Sequence, residues 1–174
     1  MKLTNEKEIS AWAFYQCKNG NDTPQMRRLI SDNWDSYIYC RFVRDIEEIR
    51  NRIHNSESSY TYCLHVKDIE EVWKNIDDSK WGYLYCRFIK DREEVWKKIT
   101  ESVYAYDYCY YITDREEVWR KITDPYWAYC YCLHMKDRKE VWKKITISNW
   151  AYCYCKNVKD RPEVRKYIKD ETNR

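Results

Sequence analysis

The chain repeats itself every 23 residues, most plainly in KDIEEVWKNI from Lys67, KDREEVWKKI from Lys90 and TDREEVWRKI from Thr113. Tandem self-similarity at this period restricts the fold to arrays in which each repeat buries the next. One column holds Asp22, Asp45, Asp68, Asp91, Asp114, Asp137 and Asp160, and three residues on stand Gln25, Glu48, Glu71, Glu94, Glu117, Glu140 and Glu163. The repeats run approximately 8–30, 31–53, 54–76, 77–99, 100–122, 123–145 and 146–168, leaving a 169–174 tail, within one helical-repeat domain 1–174.

An Asp followed at the third position by Glu or Gln is the signature of a capping box, so it predicts a helix, B, starting at each of these aspartates. Within it Val95, Trp96 and Ile99 share one face, while Glu93/Lys97 and Glu94/Lys98 form i,i+4 pairs on the other. Pro24 and Pro162 fall in the first turn, where a missing N–H costs little. A second helix, A, is predicted to begin at Ser10, Asn33, Ser56, Ser79, Ser102, Pro125 and Ser148. In its fourth copy Gly82, Tyr85, Cys86 and Ile89 fall within about 100° of arc and form the buried side. The Gly82 column holds only small residues, which lets a neighbouring helix approach closely.

Two glycines and three prolines are too few for the turns of an all-β fold. With connections of two or three residues, neighbouring helices must be antiparallel. The fold class is therefore all-α, an αα-hairpin repeat solenoid of about seven 23-residue repeats. The Trp column (Trp73, Trp96, Trp119, Trp142) becomes Arg27 and Arg50 at one end and Arg165 at the other, which reads as capping of exposed ends.

Seven of the nine cysteines (Cys17, Cys40, Cys63, Cys86, Cys109, Cys132, Cys155) occupy one column on the buried arc of helix A. Successive members are about one helix layer apart, beyond disulfide reach, so they read as small buried hydrophobes in a reducing compartment. Cys130 and Cys153 are predicted to face outward as the reactive thiols. The column Phe14, Tyr37, Tyr60, Tyr83, Tyr106, Tyr129, Tyr152 lies on the flank of helix A, where it serves packing between A helices, partner binding, or both.

Columns that vary while their surroundings repeat, those of Leu84, Arg87 and Phe88, mark where scaffold constraint is weakest. They supply the candidate partner-binding residues Arg41, Phe42, Arg87, Phe88, Tyr110, Tyr111, Leu133, His134 and Lys156, together with Leu64, His65 and Asn157. The formal net charge of +3 conceals a basic C-terminal end. There Lys136, Arg138, Lys139, Lys143, Lys144, Lys159, Arg161, Arg165 and Lys166 are the candidates for a nucleic-acid contact, with tyrosines as stacking surfaces.

No glycine-rich phosphate loop, HExxH or GxSxG occurs, and the cysteine and histidine spacings do not suit zinc, so no enzyme, cofactor or metal is expected. No apolar run is long enough to span a membrane, which predicts a cytoplasmic protein without a membrane partner. Another protein is the expected partner, nucleic acid the alternative, and a homo-oligomer through exposed repeat ends a third option.

The strings WAYCYCLHMKDRKEVWKKI from Trp127 and WAYCYCKNVKDRPEV from Trp150 resemble short two-helix repeats of the Trp-Ala-Tyr-x-Tyr-Ala type, with Cys in place of the usual Ala. Such arrays are similar to proteins of phages and mobile elements and, more loosely, to Sel1-like and tetratricopeptide solenoids. The resemblance implies a small intracellular protein that acts by binding, as a steric inhibitor of a host defence component.

Overall fold

The computed structural model describes residues 5–169; apart from Lys169, the tail predicted over 169–174 lies outside them. The described residues form fourteen helices and no strand, an αα-hairpin repeat array. The A helices are α1 (Glu6–Lys18), α3 (Asn33–Phe42), α5 (Ser56–His65), α7 (Ser79–Phe88), α9 (Ser102–Tyr111), α11 (Pro125–His134) and α13 (Ser148–Asn157). The B helices are α2 (Pro24–Leu29), α4 (Glu47–Arg50), α6 (Glu70–Trp73), α8 (Glu93–Trp96), α10 (Glu116–Trp119), α12 (Lys139–Trp142) and α14 (Pro162–Arg165). Two compact bodies comprise Met1–Lys98 and Ile99–Arg174. In the first, α1, α3, α5 and α7 pack in succession, each also against its own B helix; in the second, α9, α11 and α13 do the same.

Six A helices start at the residue expected; α1 starts earlier, with the Asn5 side chain accepting from the Glu8 N–H, and turns off through Gly20 at a φ of 98°. Caps come from the preceding residue: Asp32, Asn55, Asp78 and Asp124 each accept from the first-turn N–H groups of their helix. The side chain at the first helical position does something else. Ser10 Oγ accepts from the backbone N–H of Ser31 and Asp32, both at 3.1 Å, Ser56 Oγ from Asp77 and Asp78, and Ser102 Oγ from Thr123 and Asp124. Each of these serines staples its A helix to the extended segment that enters the next one.

The B helices are shorter than expected, one α-turn followed by i,i+3 backbone bonds such as Ile76 N–H to Trp73 C=O at 3.1 Å. Their apolar face is as read: Val72, Val95, Val118, Val141 and Trp73, Trp96, Trp119, Trp142 are buried, and so is the column Ile30 to Ile145. Of the two predicted ion pairs, Lys97–Glu93 forms at 2.5 Å. Lys98 instead donates 2.7 Å to the carbonyl of Lys74 in the preceding repeat, and Lys144 donates 2.8 Å to that of Arg120. These lysines satisfy the orphan carbonyls at the end of a B helix.

The capping box is corrected. The residue at each B-helix N-cap is the one after the aspartate, Thr23, Ile46, Ile69, Arg92, Arg115, Arg138 or Arg161, and only Thr23 uses its side chain as a cap. The aspartates are released for a different task, joining one repeat to the next.

Candidate functional site

At five junctions between repeats a tyrosine from the next A helix donates its hydroxyl to that aspartate. Tyr39 reaches Asp22 at 2.8 Å, Tyr62 reaches Asp45 at 3.0 Å, Tyr85 reaches Asp68 at 2.6 Å, Tyr131 reaches Asp114 at 2.7 Å and Tyr154 reaches Asp137 at 2.6 Å. These tyrosine side chains are fully buried. A guanidinium completes each triad. Arg138 donates from Nε to the Tyr131 hydroxyl and from NH2 to Asp114, both at 2.7 Å, while lying 5.0 Å from the Trp119 ring centre. Arg92 repeats this with Tyr85, Asp68 and Trp73, and Arg161 with Tyr154, Asp137 and Trp142.

Electrostatics follow from this geometry. Burial pushes the Asp114 carboxyl up, but the Tyr131 hydroxyl and the Arg138 guanidinium outweigh it and hold the group below the ordinary aspartate range. The Arg27 guanidinium, with the help of the Tyr39 hydroxyl, does the same for Asp22. Burial, reinforced by the Asp22 carboxylate, pushes the Tyr39 phenol up to about 12.

Arg27 and Arg50 are therefore not caps of a bare end, as the sequence suggested. They sit inside junctions, Arg27 bonding Asp22 from Nε at 2.7 Å and Arg50 bonding Asp45 from NH1 at 3.0 Å. Arg165 pairs with Asp160 in the same manner.

The cysteine column is buried from Cys17 to Cys132, whereas Cys155 is partly exposed. All nine thiols are free. Burial pushes Cys63, Cys109 and Cys132 up to about 12, which suits inert packing. The outward reading holds for neither extra thiol in full: Cys153 is half-buried and Cys130 is buried, with its pKa raised by that burial. The thiol lies against the Tyr126 hydroxyl in the first turn of its own helix and close to Tyr106 of the preceding repeat.

The flank tyrosines pack between A helices. Tyr60 meets Trp81 at 5.4 Å, Tyr106 meets Trp127 at 5.3 Å and Tyr129 stacks on Trp150 at 6.0 Å. Tyr152, which no A helix follows among the described residues, is 53% exposed.

What remains at the surface is the predicted partner-binding set. Arg41, Phe42, Arg87, Phe88, Tyr110, Tyr111, Leu133, His134 and Lys156 are all exposed, and each occupies one of the last two positions of its A helix. In the first body Arg41 lies 5.1 Å from the Phe42 ring centre and donates 2.6 Å to the Tyr37 hydroxyl. Arg87 lies 5.1 Å from the Phe88 ring centre and donates to the Tyr83 hydroxyl. In the second body Tyr110 packs edge-on against Tyr111 at 4.9 Å and against His134 at 6.3 Å. A basic residue near a helix C-terminus is also favoured by the helix dipole, which accounts for Arg41, Arg87 and Lys156 in part.

The basic set divides. Arg138 and Arg161 belong to the triads, Lys144 caps carbonyls, Arg165 is paired with Asp160, and Lys136 stands 3.6 Å from Asp114. Lys139, Lys143 and Lys166 line an open cleft of about 450 Å³ with Trp142, Glu163 and Tyr167, and Lys159 is exposed. Among the described residues no group of His, Cys, Asp and Glu could hold a metal ion, and no helix is long and apolar enough to cross a membrane.

Compared with protein-family models, with curated proteins and with solved structures, the chain matches none.

Proposed function

We propose that the protein is a non-enzymatic binding scaffold whose outer A-helix surface seats another protein and acts by steric occlusion. The observation that supports this is the placement of large rings. The repeating tyrosine, tryptophan and isoleucine columns of the interior are covered, yet Phe42, Phe88 and Tyr111 stand 57%, 55% and 53% exposed at the equivalent position of three repeats, and Tyr110, beside Tyr111, is 47% exposed. Rigid aromatic side chains flanked by arginine are the residue types that dominate binding energy at protein interfaces. The resemblance to phage repeat proteins makes a host defence component the first partner to try, in the cytoplasm.

Crosslinked affinity capture with the parent chain and with the triple variant Phe42→Ala/Phe88→Ala/Tyr110→Ala tests this. Three exposed truncations leave helicity unchanged by circular dichroism and are expected to weaken capture at least thirtyfold. Equal capture by both proteins refutes the reading. Nucleic acid is the less supported partner, because five of the nine basic residues proposed for it are engaged within the fold.

A further inference from the structure

The two bodies present different chemistry on the same outer columns. In the columns of Leu84, Arg87 and Phe88, the A helices of residues 1–98 and their C-caps carry Lys18, Arg41 and Arg87 and not one carboxylate. In residues 99–174 the same columns hold Asp107 and Lys156, which cancel.

The cations of the first body are also held in place. Phe42 carries two of them, Arg41 at 5.1 Å and Lys18 at 5.6 Å from its ring centre. Stacking on the ring together with the Tyr37 hydroxyl fixes the Arg41 guanidinium plane, and Phe88 with Tyr83 does so for Arg87. A guanidinium held this way loses little freedom on meeting a carboxylate, and its fork matches that group with two parallel hydrogen bonds.

The spacing selects among anionic partners. Arg41 on α3 and Arg87 on α7 are separated by α5, whose corresponding residues are Leu64 and His65. Two helix layers amount to roughly 16–20 Å. A nucleic-acid backbone offers phosphates far more closely and would face an apolar rung at Leu64. An extended peptide advances about 3.3 Å per residue, so carboxylates five or six residues apart, with an apolar residue between them, reach both arginines and cover Leu64.

From this stripe we propose that the first body docks an extended acidic peptide segment across α3, α5 and α7, its carboxylates on Arg41 and Arg87. The proposal rests on the binding-scaffold reading and names the chemistry of its partner.

A fluorescein-labelled 14-residue peptide carrying two Glu-Glu pairs six residues apart and a central Leu is the probe, with its Gln counterpart and a 20-nucleotide oligouridylate alongside. Fluorescence anisotropy on the full chain is expected to show the Glu peptide binding at least tenfold more tightly than the Gln peptide. Its affinity falls as salt is raised, since the contacts are exposed. Arg41→Glu/Arg87→Glu abolishes the binding while Arg28→Glu, an equal charge change per residue on α2, leaves it within twofold. No binding of the Glu peptide, binding unaffected by the double reversal, or tighter binding of the oligouridylate each overturns the proposal. Failure here is separable from failure of the scaffold reading. A partner captured through Phe42, Phe88 and Tyr110 but indifferent to Arg41→Glu/Arg87→Glu removes only the acidic specificity.

Discussion

The junctions at Asp22 and Asp45 differ from those at Asp68, Asp114 and Asp137 in where the guanidinium comes from. In the early ones it is supplied by the repeat that owns the aspartate, from Arg27 and Arg50, five residues downstream. In the later ones it reaches back from the following repeat, 24 residues on, and lies over a tryptophan that occupies the place of Arg27 or Arg50. Two columns change together: Arg27 goes with Ile46 and Arg50 with Ile69, whereas Trp73 goes with Arg92, Trp119 with Arg138 and Trp142 with Arg161. Each tyrosine–aspartate pair takes one guanidinium, so moving its source requires both substitutions. The Asp45 junction is also less completely satisfied, for Arg50 Nε is buried without a partner, whereas Arg27 employs Nε on Asp22 and Arg92 and Arg138 employ it on the tyrosine hydroxyl.

The most severe way to break this pairing is to convert half of a junction. Trp119→Arg alone puts a second cation beside Arg138 and removes the indole that Arg138 covers; Arg138→Ile alone strips Asp114 of its guanidinium. Each is expected to cost about 3 kcal/mol, through lost packing in the first case and an uncompensated, partly buried charge in the second. Trp119→Arg/Arg138→Ile recreates the arrangement of Asp22, Arg27 and Ile46 and is expected to return to within about 1 kcal/mol of the parent. Urea unfolding of the four proteins checks this; strict additivity would show that the two columns are independent.

This coupling also marks the limit of what the residue pattern discloses. Period, the A-helix starts from α3 onward, the buried Val, Trp and Ile faces and the exposed ends of the A helices were legible, because equivalent residues recur in equivalent surroundings. The aspartate's role was not. Asp with Glu three residues later looks the same whether the Asp is the N-cap or stands one position before it, and only backbone geometry separates the two. A signal for the triad did exist, in the constant 17-residue step from Asp22 to Tyr39 or Asp114 to Tyr131 and in the exchange of Trp119 with Arg27. The burial of Cys130 was hidden for a different reason: its neighbours are Tyr126 in the first turn of its own helix and Tyr106 in the preceding repeat, which the angular position of a single residue does not disclose.

A gentler change sharpens the comparison through pH. Asp114 is held below the ordinary aspartate range, so its interactions contribute fully above the unfolded pKa and are lost as the pH falls through the folded one, in a window below about pH 4. Tyr131→Phe removes the hydroxyl that donates to Asp114 and accepts from Arg138, at an expected cost of about 1–2 kcal/mol near neutrality. Because the variant's aspartate titrates closer to its unfolded value, that deficit is expected to shrink as acid protonates the carboxyl. A deficit constant from pH 7 to pH 3 would show that the tyrosine acts through packing and not through the charge. Tyr39→Phe, at Asp22, is expected to follow the same course, since the carboxylate there is depressed by Arg27 in place of a following-repeat arginine.

The smallest effect lies in the part of the junction that both forms share. Ser10 serves next to Asp22, Ser56 next to Asp68 and Ser102 next to Asp114, each accepting two backbone N–H groups of the following repeat, so the staple is indifferent to where the guanidinium comes from. The sixth repeat has Pro125 at this position, which has no side-chain acceptor to offer, and α13 forms nonetheless. Because the Thr123 and Asp124 N–H groups are close to solvent, water can replace the lost acceptor, and Ser102→Ala is expected to cost only about 0.5–1 kcal/mol. The cost is expected to be the same in the parent and in Trp119→Arg/Arg138→Ile, to within about 0.5 kcal/mol, if staple and triad are separate devices. A larger penalty in the converted junction would mean that the hydroxyl positions the entry of α11, and with it Tyr131, for the triad.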